Sequence, residues 1–234
     1  MRKILKPKDF PALLKQIPDQ PERLYMEGEL PPEDAIYLAV VGARRFTTYG
    51  KEACERIISG LNNKNRQFVI ISGLAIGIDG IAHKAALKSG LKTIAIPGSG
   101  LDEKVMHPRS NVNLSKEILE SGGCLISELD WEMPAGMHTF PSRNRIIAGM
   151  SHAVLVIEAA EKSGTLITAD LATQYNRDVF AVPGSIFSQN STGTNRLIKA
   201  GAALITSAED IFDAFGLPRE KENLKLNLAL EPNE

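Results

Sequence analysis

Excess positive charge is missing from this chain, in which 27 lysines and arginines meet 28 aspartates and glutamates for a formal net charge of −1. A protein coated in cations that holds duplex DNA by bulk electrostatics is thereby excluded, and any nucleic-acid contact has to be a local pocket. Cysteine is scarce: Cys54 and Cys124 show neither metal nor redox spacing and are expected as small buried apolar residues. The four histidines are scattered outside any metal motif, so no metal and no cofactor is expected. Aromatic residues make up only 6%, which limits base-stacking platforms to a few, with Phe46, Tyr49 and Phe140 as candidates. No apolar run approaches the roughly 18 residues of a membrane span. The opening Met1-Arg2-Lys3-Ile4-Leu5-Lys6-Pro7 lacks the apolar stretch of a signal peptide, so a cytoplasmic protein without membrane contact is expected.

What is present is an α/β rhythm. The 234 residues, 43% of them hydrophobic, suffice for one large domain with a core of ordinary size. From Ala35 onward, strands are expected near 36–41, 68–72, 92–96, 124–127, 153–157, 178–182 and 203–206. Helices are expected near 48–62, 78–89, 111–121, 142–150, 165–175, 193–200 and 207–215. That alternation predicts an α/β fold of extended Rossmann-like type, a mostly parallel sheet with helices on both faces. Residues 1–35, with a short helix over 9–16 and then a proline-punctuated stretch, read as an N-terminal arm packed on the 36–217 domain, and 218–234 as a polar tail.

Ligands of open α/β sheets bind at the carboxyl ends of the strands, and the chemistry-bearing residues fall there. In Ser72-Gly73-Leu74-Ala75-Ile76-Gly77-Ile78-Asp79 an apolar strand runs through two glycines straight into a helix. Such a turn suits phosphate on the helix N-terminus, or simply tight packing. Gly42 and Arg44 follow the first strand, the arginine being a phosphate hook or a surface charge. Arg109 and Asn111 stand after a glycine-rich loop, where Asn111 can cap the next helix and reach a ligand as well.

In Phe140-Pro141-Ser142-Arg143-Asn144-Arg145, Ser142 reads as an N-cap, which puts Arg143 and Arg145 in the first helical turn. There each cation opposes the helix dipole by roughly 0.3–1 kcal/mol, so both need an anionic ligand or an internal carboxylate, Glu128 or Glu158. Ser163-Gly164-Thr165 is another small-residue turn opening a helix, and Asp79 reads as ordinary dipole compensation.

Taken in order, Gly42-Ala43-Arg44, Ser72 to Asp79, Gly100-Leu101-Asp102 with Pro108 and Asn111, Ser127-Glu128, Phe140 to Gly149, Glu158-Ala159, Ser163 to Leu166 and Ala181 to Gly184 strongly resemble the bacterial DNA-processing DprA, or Smf, family. The resemblance runs from about Ile17 to Phe212. It implies a homodimer that binds single-stranded DNA without known catalysis and delivers incoming DNA to the recombinase RecA in natural transformation. Carried over by position, Arg44 and Arg109 grip phosphates. The chain departs from the family pattern in His107, where tyrosine is usual, in Ser99, and in showing no winged-helix domain after residue 217.

Two other classes fit the residues less well. A phosphoribohydrolase of the lysine-decarboxylase-like type needs a glutamate after its Gly-Thr turn to support sugar cleavage, and Ile167 and Thr168 stand there instead. A dinucleotide oxidoreductase needs a Gly-x-Gly-x-x-Gly turn after the first strand, which is lacking. For the dimer surface, the apolar face over 197–216 is the expected place.

Overall fold

The structure, a computed structural model, describes residues 1–62 and 67–218; the tail read at 218–234, Pro218 apart, lies outside the described residues. Among the described residues, nine strands form one sheet in the order β1-β2-β6-β5-β4-β3-β7-β8-β9. They are β1 Arg2–Leu5, β2 Leu24–Gly28, β3 Ile36–Val41, β4 Phe68–Ser72, β5 Lys92–Ala95, β6 Cys124–Ser127, β7 Ala153–Val156, β8 Asp178–Ala181 and β9 Ala203–Leu204. β3 to β9 pair in parallel, and the helices α1 (Thr48–Gly60), α2 (Ile78–Lys88), α3 (Val112–Glu120), α4 (Thr139–Gly149), α5 (Gly164–Gln174), α6 (Thr192–Lys199) and α7 (Ala208–Ala214) alternate with them.

β3 shows why both faces carry helices. It is buried along its whole length, and its alternate residues enter different cores. Ile36, Leu38 and Val40 join Ile57 and Ile58 of α1, Ala82 of α2 and Phe212 of α7, while Tyr37, Ala39 and Val41 join Ile146 and Ile147 of α4 and Ala169 of α5. A strand apolar on both sides can only sit in the middle of such a sandwich.

The N-terminal segment differs from expectation. Residues 9–16 form no continuous helix, only 3₁₀ turns at Pro7–Asp9 and Leu14–Gln16, because Pro11 interrupts the run. Two strands went unread in it: β1 and β2 pair antiparallel with each other, and β2 pairs antiparallel with β6. The Arg2–Glu27 ion pair at 3.2 Å joins β1 to β2, and the charged edge strand that results discourages pairing with another sheet. Phe10, Leu14 and Ile17 are buried in the α4–α5 core.

The apolar face over 197–216 is mostly interior. Ile211 and Phe212 are buried and Phe215 packs against the same core, leaving Leu204 exposed. Both cysteines are buried and their thiols pushed up by desolvation, Cys124 to about 12. Among the described residues, no helix is long and apolar enough to cross a membrane, and no group of three metal-ligating side chains occurs.

One buried group makes stability depend on pH. His83 of α2 is bonded to Thr93 Oγ1 at 2.7 Å, and Thr93 donates to the Ile70 carbonyl at 2.8 Å. Thr93 must therefore accept from His83 Nδ1–H, which fixes one ring proton on Nδ1. Burial, reinforced by the Arg143 charge, pushes the imidazole down to about 3. The unfolded chain then binds the extra proton between about pH 6.5 and 3, so stability is full above that window and falls as the pH drops through it. At about 1.4 kcal/mol per pH unit, the native protein should lose about 2 kcal/mol more between pH 6.5 and 5 than His83→Leu, measured by urea unfolding. Equal losses would clear His83 of the role.

Candidate functional site

The strand order reverses at β3: β4, β5 and β6 step away on one side, β7, β8 and β9 on the other. The carboxyl ends of β3 and β7 thus diverge into a crevice, as at other topological switch points. A cavity of about 690 Å³ opens there, lined by the loop after β3, by α4, by the loop from β7 into α5, and by Asn190.

The loop after β3 leaves the sheet at Gly42, where a Cβ would come within 2.7 Å of the Ile78 side chain. Ala43 then accepts the Ile78 N–H at 3.2 Å, which anchors the loop to α2. Arg44 and Arg45 emerge into solvent, and the Arg44 guanidinium stands 5.2 Å over the Phe140 ring. That placement orients the charge over the ring face. On the other wall, Ser163 caps α5 by accepting the Thr165 N–H at 3.2 Å, Thr165 Oγ1 donates to the Gly42 carbonyl at 3.1 Å, and Gly164 faces open space.

Below, Glu158 is buried and accepts from the Thr47 N–H at 2.9 Å and the Thr47 hydroxyl at 2.5 Å. It binds the end of β7 to the loop after β3, not to an arginine as the sequence suggested.

Gly42, Arg44, Phe140, Arg143, Asn144, Ser163, Gly164 and Thr165 meet in this cleft. The other candidates stand elsewhere. Ser72 is fully buried and donates to the Val40 carbonyl at 2.6 Å. Gly73 lies directly beneath Arg143 and Asp79, and its N–H is taken by Asp79 Oδ2 at 3.1 Å. Gly77, at φ 86°, lies against Arg44 and bends the chain into α2. In this turn the protein's own carboxylate sits where a phosphate was expected. Asp79 does more than offset a dipole: it is buried, faces Arg143, and its carboxyl is pushed up by desolvation despite that cation.

α4 begins earlier than read. His138 is its N-cap, Pro141 falls in the first turn where no N–H is needed, and Ser142 accordingly caps nothing. Arg143 and Arg145 are therefore beyond the first turn, and the dipole argument for them falls away. Arg143 is 8% exposed and donates to the Gly73 carbonyl at 2.6 Å and to the Ile96 carbonyl. Asn144 accepts from Arg143 Nε at 3.3 Å. Arg145 turns the opposite way, to Glu128 at 2.6 Å and Asp19 at 3.8 Å, so the Glu128 pairing is found.

Arg109 does not line this cleft; it is exposed, and its Nη1 donates to the Glu103 and Lys104 carbonyls at 2.7 and 3.2 Å. Asn111 makes no cap bond; its amide donates to the Leu74 and Ala75 carbonyls at 2.9 and 3.1 Å. Asn190, whose amide donates to the Arg45 carbonyl at 2.7 Å, was missed. Nothing in the sequence marks it, since 145 residues separate the two. Arg45 and Met137 also line the cleft, and Arg45 was signalled only by its neighbour Arg44.

Residues 3–216 match the model of a protein family described as DNA recombination-mediator protein A. Protein Smf of Escherichia coli is 44% identical over 214 residues, a match covering 89% of this chain and 55% of that one. DNA processing protein DprA of Streptococcus pneumoniae is 44% identical over 207 residues, covering 88% and 71%. The chain thus spans little more than half of the first relative's length and about two thirds of the second's. Among solved structures, that of DprA from Streptococcus pneumoniae superposes with a TM-score of 0.82 at 40% identity, covering 90% of this chain and 73% of that one. A DNA processing protein A from Helicobacter pylori, described for its single-stranded DNA binding mode, superposes with a TM-score of 0.80 at 29% identity, covering 92% and 95%.

Proposed function

The chain belongs to the DNA recombination-mediator protein A family, and from that premise we propose that it binds single-stranded DNA in the cleft at the carboxyl ends of β3 and β7. The observation that carries the reading is the pairing of walls: Arg44 held over Phe140 on one side, the open start of α5 at Gly164 on the other. Backbone phosphate meets the guanidinium and the positive end of α5 at Gly164, while a base has the face of Phe140 beside it. Arg143 and Asp79 brace this arrangement from beneath, and residues 36–217 supply the binding domain. The single-stranded DNA binding of the Helicobacter pylori relative supports the same assignment.

Labelled oligo-dT, compared with duplex of equal length by fluorescence anisotropy across a salt series, tests it. Affinity for the single strand should fall with a log-log slope of about −0.7 per neutralised phosphate, with duplex binding far weaker. Arg44→Ala should weaken binding about tenfold and flatten the slope by about 0.7. Unchanged affinity in that variant removes the cleft from consideration.

The family reading extends to protecting incoming DNA and loading RecA in natural transformation, by a cytoplasmic homodimer and without catalysis of its own. Pull-down of RecA in the presence of single-stranded DNA checks the handover, and failure to capture it there discards that part alone.

A further inference from the structure

Beside the cleft, four large apolar side chains remain in water. Phe187 is 92% and Ile186 84% exposed at the tip of the loop between β8 and α6, and Tyr49 at 50% and Phe46 at 43% stand on the segment entering α1. The two segments are tied together. The Tyr49 hydroxyl donates to the Pro183 carbonyl at 2.6 Å at one end of the loop, and Asn190 donates to the Arg45 carbonyl at the other. Because Asn190 itself lines the cleft, the apolar surface continues from the cleft's edge.

The exposed charges of these two segments are all of one sign, the Glu158 carboxylate beneath them being buried and bound to Thr47. Residues 42–50 carry Arg44 and Arg45 and no carboxylate, and residues 183–190 carry no charge. Aromatic faces interleaved with arginines and free of acids fit a strand whose bases are apolar and whose backbone is anionic. We propose that Phe46, Tyr49, Ile186 and Phe187 form a ledge on which unpaired bases of the bound strand stack as it leaves the cleft past Asn190. The ledge rests on the single-stranded DNA reading of the cleft and lengthens it: a duplex, its bases already stacked inside, gains nothing there.

The test uses the full chain, Phe187→Ala, and oligo-dT of about 6 and about 18 nucleotides, the shorter filling the cleft alone. At 92% exposure the phenylalanine is dispensable for folding. The variant should hold the short oligonucleotide as the native protein does and the long one about tenfold more weakly. A long oligonucleotide with abasic sites over the ledge should bind both proteins alike. Undiminished binding of the long strand by Phe187→Ala overturns the proposal, as does an equal loss on both lengths. A change confined to oligomeric state in light scattering overturns it too, in favour of a contact between copies of the chain. If the native protein binds neither length, the cleft reading itself has failed and the ledge goes with it, a result separable from the others because no variant is involved.

Discussion

Arg143→Ala is expected to cost about 3–5 kcal/mol of folding stability, a large part of the total for a domain of this kind. The arginine is buried against Asp79 and donates to the Gly73 and Ile96 carbonyls, so truncation strands a buried carboxylate and two main-chain acceptors together. The deficit should shrink at low pH. Without its cation, the Asp79 carboxyl is pushed further up than burial already takes it. A carboxyl raised above its unfolded value contributes most below that value and loses the contribution as pH rises through the folded one. Removing the Arg143 charge also relieves His83, which acts in the same direction. Urea unfolding of variant and native protein at about pH 7.5 and pH 5 reads the difference. The paired change Asp79→Asn with Arg143→Met removes both charges and should restore most of the stability. That double variant also decides what the sequence left open: retained DNA affinity makes Arg143 a brace, whereas a folded protein that no longer binds makes it a contact.

The parallel sheet was legible because its strands are short apolar runs separated by helical periodicity, and β3 to β9 lie within a residue or two of where that pattern puts them. β1 and β2 were not, since Arg2-Lys3-Ile4-Leu5 carries its charges on an edge and Leu24-Tyr25-Met26 is buried without alternation. The start of α4 was misplaced because Phe140-Pro141 reads as a break, although proline in a first turn forfeits no bond. Gly42, Arg44 and Ser163 to Thr165 could be placed at the cleft because they lie between β3 or β7, the strands at the switch point, and the helix that follows. Arg109 and Asn111 also follow a strand, yet β5 lies two places from β3, and the Asn111 amide is taken by the Leu74 and Ala75 carbonyls. Spacing reveals which residues stand at the sheet's carboxyl edge. Which of their donors are already spent is decided by contacts between distant segments, as with Asp79 filling the Gly73 turn.

A second large effect should separate folding from binding by giving them opposite signs. Gly164 is the first residue of α5, and a Cβ there meets nothing within 4 Å, so Gly164→Asp fits without rearrangement. A carboxylate in the first turn favours the helix by about 0.3–1 kcal/mol, and replacing glycine removes backbone freedom from the unfolded chain, so thermal stability should hold or rise. The same charge sits at the helix start proposed for phosphate and repels the strand. At about 4 Å, like charges in a partly exposed site oppose each other by roughly 1–4 kcal/mol, which is about a five- to several-hundredfold loss of affinity for oligo-dT. Gly164→Ala, which fills the same space without charge, should bind nearly as the native protein does and so assigns the loss to electrostatics. If Gly164→Asp binds normally, no phosphate approaches the start of α5, and the strand must run along the Arg44 wall and the ledge beyond it instead.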